Sequence, residues 1–213
     1  MNSIVKGDSA DRISANRIFT LGHSNHTIED FLSLLRAHRI AAVADVRSQP
    51  YSRLPHFARE QLESYLLAAG IRYLFLGREL GARRDEPEAY ANGHADYDRI
   101  ARLPAFARGI DRLLNEPLGR VALMCAEKEP LDCHRTILVS RHLAGRGVPV
   151  RHILADGTVE DHADSGRRLI KLLRIVPDLF DQDFSESHLL DRAFAQRARE
   201  IAFEPRDEGE GVP

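Results

Sequence analysis

Two cysteines are all that this chain of 213 residues contains, and both lie within eleven residues, C-A-E-K-E-P-L-D-C-H-R, from Cys125 to Arg135. Thiols serve as nucleophiles, redox partners or metal ligands, and spacing and surroundings decide which. The apolar run V-A-L-M precedes Cys125 and the chain turns polar at Glu127, Lys128 and Glu129, so this thiol stands at a boundary. Cys133 falls where the next helix should begin, and there the dipole and unpaired amides lower a thiol pKa. His134 can carry a proton and Glu127 can act as acid or base. Nucleophilic catalysis with acid–base help is therefore the chemistry that these types suggest. The alternatives weigh less. A disulfide could close over this separation, but a cytoplasmic setting keeps most thiols reduced. The C-x7-C-H pattern lacks the paired spacing of zinc motifs, so neither a metal nor a cofactor is expected. Two buried thiols acting as small hydrophobes are the bland reading.

Such groups need elements to hold them. The segments 17–21, 40–46, 71–76, 120–125 and 148–154 are apolar and β-branched enough to read as buried strands. Helical spacing fills the intervals. Thr27 caps a first helix, with Asp30 at its third position. Phe57, Leu62 and Leu66 mark a second, which stops at Gly70. A pair split by Pro104 follows, then a helix from near His134 to about Leu143, and another near Leu169–Leu173. Residues 77–95 read as a long irregular connection, which leans functional or mobile. Alternation of this kind predicts an α/β fold: a mostly parallel central sheet of about five strands with helices on both faces, plus a helical C-terminal extension. The expected organisation is a flexible N-terminus (1–16), a single α/β domain (17–176) and an acidic helical tail (177–213) with a frayed end.

In parallel sheets, ligands bind beyond the carboxyl ends of the strands. Polar clusters follow four of the predicted strands, which brings His23 and Ser24, then Asp45, Arg47, Ser52 and Arg53, then the cysteine loop with Arg135 to one rim. Each taken alone has an ordinary explanation, such as an ion pair for Asp45 and Arg47 or a helix cap for His23 and Ser24. Their joint placement is what favours a site, with Cys125, Glu127, Cys133, His134 and Asp45 as catalytic candidates. His23, Ser24, Arg47, Ser52, Arg53 and Arg135 are then the substrate-binding candidates.

Charge refines the ligand. Residues 47–84 hold seven Arg against three Glu, whereas 177–213 hold ten acidic residues against four Arg. Guanidinium forks suit phosphate or carboxylate, so the expected partner is an anionic small molecule or nucleotide-like ligand. A net charge of −2 makes nucleic acid the less favoured partner. No run approaches the ~18 apolar residues of a membrane span, and the N-terminus has no signal-like apolar core. A cytoplasmic protein without membrane contact is expected; oligomeric state is left open.

G-H-S (22–24), A-D-V-R-S-Q-P-Y-S-R (44–53), G-I-R-Y-L-F-L-G-R-E-L-G (70–81), the cysteine stretch and R-H-I-L (151–154) resemble, in this order, the bacterial and archaeal family called domain of unknown function 488. The likeness spans roughly residues 17–155 and implies an α/β fold with a shared site. The family typically shows Leu-Gly-Gly where this chain has Leu80-Gly81-Ala82. A fainter likeness is to rhodanese-like domains, in which a cysteine at a strand end carries a persulfide; Cys125 would match it, although the loop here is longer and more charged. The leading expectation is an enzyme, a transferase or hydrolase, working on an anionic substrate. Sulfur transfer or thiol redox sensing is one alternative, and a non-catalytic nucleotide or nucleic-acid binding module is another.

Overall fold

The computed structural model describes residues 17–177 and 185–205. Six strands form the main sheet: β1 (Arg17–Gly22), β2 (Ala42–Asp45), β3 (Arg72–Phe75), β6 (Arg120–Cys125), β7 (Val150–Ile153) and β8 (Val159–Asp161), with β4 (Tyr90–Ala91) and β5 (His94–Ala95) as a separate hairpin. The order across the sheet is β3-β2-β6-β1-β7-β8, parallel except for β8, which runs antiparallel to β7. The predicted five-stranded parallel sheet is present, with β8 added.

Alternation along the strands sorts the core into two layers. Phe19, Leu21, Val43, Ala122 and Met124 point to one face, where α1 (Ile28–Ala37) and α2 (Arg59–Ala68) cover them with Phe31, Leu35, Leu62 and Leu66. Ile18, Ala42, Ala44, Val121, Leu123 and Cys125 point to the other. That face packs against α4 (Tyr97–Arg102), α5 (Pro104–Asn115), α6 (Arg141–Gly145), α7 (His162–Leu172) and α8 (Glu186–Glu200). A residue's parity on its strand therefore decides which layer receives its side chain.

Local signals explain most boundaries. Thr27 Oγ1 accepts the Asp30 amide and caps α1. Gly70 adopts φ 73° after α2, a left-handed stop that glycine makes without strain. Two segments differ from expectation. Residues 77–95 are structured, with a short helix α3 (Gly77–Leu80), a 3-10 turn and the β4–β5 hairpin, each too short for periodicity to register. The predicted helix after His134 opens as a buried π-helix over Arg135–Ser140 before α6. The expected helix in the acidic C-terminal segment is α8, which lies on α7 and buries Ala193 and Phe194. The proposed flexible N-terminus and the frayed end fall outside the described residues. Among the described residues, no helix is long and apolar enough to cross a membrane.

Candidate functional site

The chain leaves β1 and β2 in one lateral direction and leaves β6, which lies between them, in the other. A crevice at the carboxyl ends is the topological consequence. The amide of His23 donates to Cys125 O at 2.8 Å, Ser24 N to Ala126 O at 2.9 Å, and Val46 N to Met124 O at 3.1 Å. These bonds stitch three strand ends into one rim.

Parity then divides the polar groups in two. On the α1–α2 side, buried Asp45 accepts from Arg47 Nε at 2.9 Å, from Arg47 Nη2 at 2.6 Å and from Tyr73 Oη at 2.9 Å. Arg47 also donates to Phe57 O at 2.9 Å and approaches His23 Nε2 at 3.4 Å. The ring of His23 stacks on Phe57 at 4.2 Å. Its Nδ1 lies 3.0 Å from Ser24 O, so Nδ1 carries the proton and Nε2 receives the Arg47 donor. Burial, helped by the Arg47 charge, lowers the His23 pKa from 6.5 to about 4. Burial also raises Tyr73, and the Asp45 carboxylate adds to it.

On the opposite side lies the thiol cluster. His134 Nε2 is 2.9 Å from Val46 O, which can only accept, so Nε2 carries a proton and the ring turns Nδ1 inward. Nδ1 faces Cys125 Sγ at 3.7 Å and Cys133 Sγ at 3.9 Å, while Glu127 Oε2 accepts from Cys133 Sγ at 2.9 Å. Both sulfurs and His134 are buried; Glu127 presses its carboxylate inward although the residue as a whole reaches solvent. Burial raises Cys125 further above the ordinary thiol range, and its neighbour Cys133 reinforces this. Burial opposes ionisation of Cys133 too, but the Cys125 hydrogen bond, the Arg135 charge and His134 outweigh it and hold that thiol low. The pair thus gives up one proton readily and keeps the second. Glu127 is raised by burial and by the Cys133 charge.

Arg135 is fully buried beneath the loop and donates to Glu127 O at 2.7 Å and to Lys128 O at 3.3 Å. It shapes the loop from inside. Arg47 is likewise engaged internally, by Asp45. Ser24 lies at the rim with φ 46°, a left-handed conformation uncommon outside glycine. Ser52 Oγ accepts its own loop's Leu54 amide, and Arg53 is exposed on the same loop. The structure therefore brings Cys125, Glu127, Cys133 and His134 together and links His23, Asp45 and Arg47 in a second network across the sheet.

Two tyrosines belong to this region and escaped the sequence reading. Tyr73 stands on Asp45, and Tyr97 is buried beside both cysteines and Glu127. Strand parity was the available signal for Tyr73; Tyr97 lies in the segment beyond the irregular connection, where no spacing pointed inward. A cleft of about 1760 Å³ lies beside this region but is not lined by any of the four clustered groups. It starts at Ser48, one residue past Arg47, and runs over the end of β3 with Arg59, Arg78, Arg83 and Arg108 exposed on its walls.

Glycine has a specific task at Gly22, where an added Cβ would overlap Glu127 O and crowd Arg135 Nη2 at 3.2 Å. Gly22→Ala should displace the cysteine loop and cost at least about 1–3 kcal/mol of unfolding free energy in urea titrations. An unchanged midpoint would show that the loop does not cross Gly22. At the Leu80-Gly81-Ala82 departure, Gly81 passes tightly against Ser48, whereas the Ala82 methyl packs into the core. The second position there has no part in either polar cluster.

The family model described as Domain of unknown function DUF488 matches residues 27–142, just over half of the chain. No curated protein and no solved structure matches, and the rhodanese-like layout has no match behind it. The matched span is narrower than the motif likeness but takes in Asp45, Arg47, Cys125, Glu127, Cys133, His134 and Arg135, leaving out the β1 end with His23 and Ser24 and the R-H-I-L stretch at 151–154. With those motifs in order and that share of the sequence matched, the chain belongs to the DUF488 family.

Proposed function

We propose that the protein is an enzyme, a hydrolase or transferase, acting on an anionic or nucleotide-like substrate at the thiol cluster. One observation carries this reading. Four groups able to hold or move protons (Cys125, Glu127, Cys133 and His134) are packed within hydrogen-bonding reach at a topological switch point, with the imidazole fixed by Val46 so that its Nδ1 faces both sulfurs. Burying that much polarity without water is costly, and fold stability gains more from apolar side chains. Such arrangements concentrate where chemistry is done.

Glu127 is the proton-transfer group in this reading, because its carboxylate touches the cluster while the residue as a whole reaches solvent. Substrate charge would be met by the arginines on the adjoining cleft, Arg59, Arg78 and Arg83, since Arg47 and Arg135 are occupied inside the fold. Tyr51, more than four-fifths exposed on the cleft wall, offers a ring for a base or sugar.

The test is a thermal-shift panel of nucleotides, sugar phosphates and small carboxylates, followed by turnover assays on whatever stabilises the protein. Stabilisation should weaken in Arg78→Ala. Glu127→Gln should lower kcat by roughly 10²–10⁴-fold with KM little changed. Full turnover by Glu127→Gln on a substrate that the wild-type protein converts would sink the assignment.

A further inference from the structure

We infer that Cys125, Cys133 and His134 bind a divalent metal ion of the zinc class, with a fourth coordination position open toward Glu127. The spacing in the sequence pointed away from this, because C-x7-C-H is not a zinc-motif spacing. The fold removes the objection by supplying the approach in space. The two sulfurs and His134 Nδ1 all lie within 4.8 Å of one another, and all three residues are buried. A tetrahedral ion with bonds of about 2.3 Å to sulfur and about 2.0–2.1 Å to nitrogen sets its S···N edges at about 3.6 Å. The observed S···N separations of 3.7 and 3.9 Å match that edge without rearrangement.

Three further features fit. The metal-free nitrogen of His134 donates to the Val46 carbonyl, the kind of outer contact that fixes the tautomer and aim of a ligating imidazole. Two thiolates and one imidazole form a soft set that favours zinc over magnesium or calcium. Charge also closes. Arg135 is fully buried, its guanidinium meets only backbone carbonyls, and its Nε lacks a partner among the described residues. A divalent ion with two thiolates is neutral, which leaves the Glu127 carboxylate to balance Arg135. On binding, each thiol releases its proton to solvent, and no electron is transferred. Glu127, 2.9 Å from Cys133 Sγ, stands over the remaining position, where it can accept a proton from a bound water.

This goes beyond the enzyme reading, since ion binding is measured without a substrate. The experiment uses the reduced full-length protein, titrated with Zn²⁺ against a chromophoric chelator and separately loaded with Co²⁺. One equivalent should bind, and the cobalt form should show thiolate-to-cobalt charge transfer with the intense visible bands of four-coordination. Cys125→Ser, Cys133→Ser and His134→Gln should each weaken Zn²⁺ at least about 100-fold. Glu127→Gln should stay within about tenfold; a loss as large as that of the cysteine variants would overturn the open position. The wild-type cobalt spectrum reads the ligand set even where a variant fails to fold. Failure of the reduced wild-type protein to take up an equivalent, or a cobalt spectrum without sulfur character, would overturn the site. Either result leaves the Glu127→Gln turnover test of the enzyme reading untouched.

Discussion

Asp45→Ala should lower the free energy of unfolding by about 3–5 kcal/mol, the range for breaking a buried ion pair by removing one partner. Asp45 has no exposed surface and accepts three side-chain donors, two from Arg47 and one from Tyr73, together with the Arg47 amide at 3.1 Å. Without the carboxylate, Arg47 keeps Phe57 O and a long contact to His23, but its charge stays buried with nothing to balance it. Most of the loss is thus the cost of an orphaned guanidinium. Arg47→Met should be costly in the same way, whereas the double change Asp45→Leu/Arg47→Met removes both charges and should recover much of the stability. Urea titrations of the four forms give the cycle directly. If Asp45→Ala cost under about 1 kcal/mol, the pair would be behaving as a solvent-screened surface bridge.

Acid should act on a different part of the molecule. His152 and His162 are buried with their rings bonded, Nε2 to Nδ1, at 3.0 Å, and His152 Nδ1 is 2.7 Å from Thr20 Oγ1. Burial alone lowers His162 from 6.5 to about 4, and burial with the neighbouring charges lowers His152 in the same sense. The unfolded chain therefore binds more protons than the folded one between these values. The stability due to His162 is complete above pH 6.5 and is lost as pH falls toward 4. At about 1.4 kcal/mol per pKa unit this amounts to about 3 kcal/mol for His162, and His23 adds in the same direction. Glu127 and His134 shift upward and work against the trend. The decisive comparison is the pH dependence of urea midpoints for the wild-type protein and His162→Leu. The variant's acid limb should be flatter. Equal slopes would place the proton uptake elsewhere.

Much of the fold was legible because buried strands and amphipathic helices write themselves in apolar spacing. The segments ending at Gly22, Asp45, Phe75, Cys125 and Ile153 all announced themselves, and Thr27 and Gly70 gave their helix ends by cap chemistry. The β4–β5 hairpin did not, since two-residue strands have no period. Strand β8 did not either; V-E-D is polar and pairs at an edge where one side faces solvent. At the site, spacing placed at one rim the loops that the structure brings together there. It did not show that strand parity sends the Asp45 side chain to one face and that of Cys125 to the other. Nor did it show that Arg47 and Arg135 turn inward, because the sequence does not reveal whether a guanidinium finds backbone carbonyls before it finds a ligand.

The π-helix at Arg135–Ser140 makes the site sensitive to chain length. All six residues are buried, and Ser140 Oγ closes on Arg135 O, five residues back, at 2.7 Å. A stretch this wide lags an α-helix by about one residue's rotation, roughly 100° at 3.6 residues per turn. Removing a single residue from it would let a regular helix form and would improve local backbone geometry. It would also swing Cys133 and His134 away from Val46 and Cys125 while α6 stayed seated on the core. The wide turn thus works as a phase adjuster, setting the angle between the reactive loop and the helix behind it. A shortened protein that folds well yet no longer brings its two sulfurs together is the form this would take.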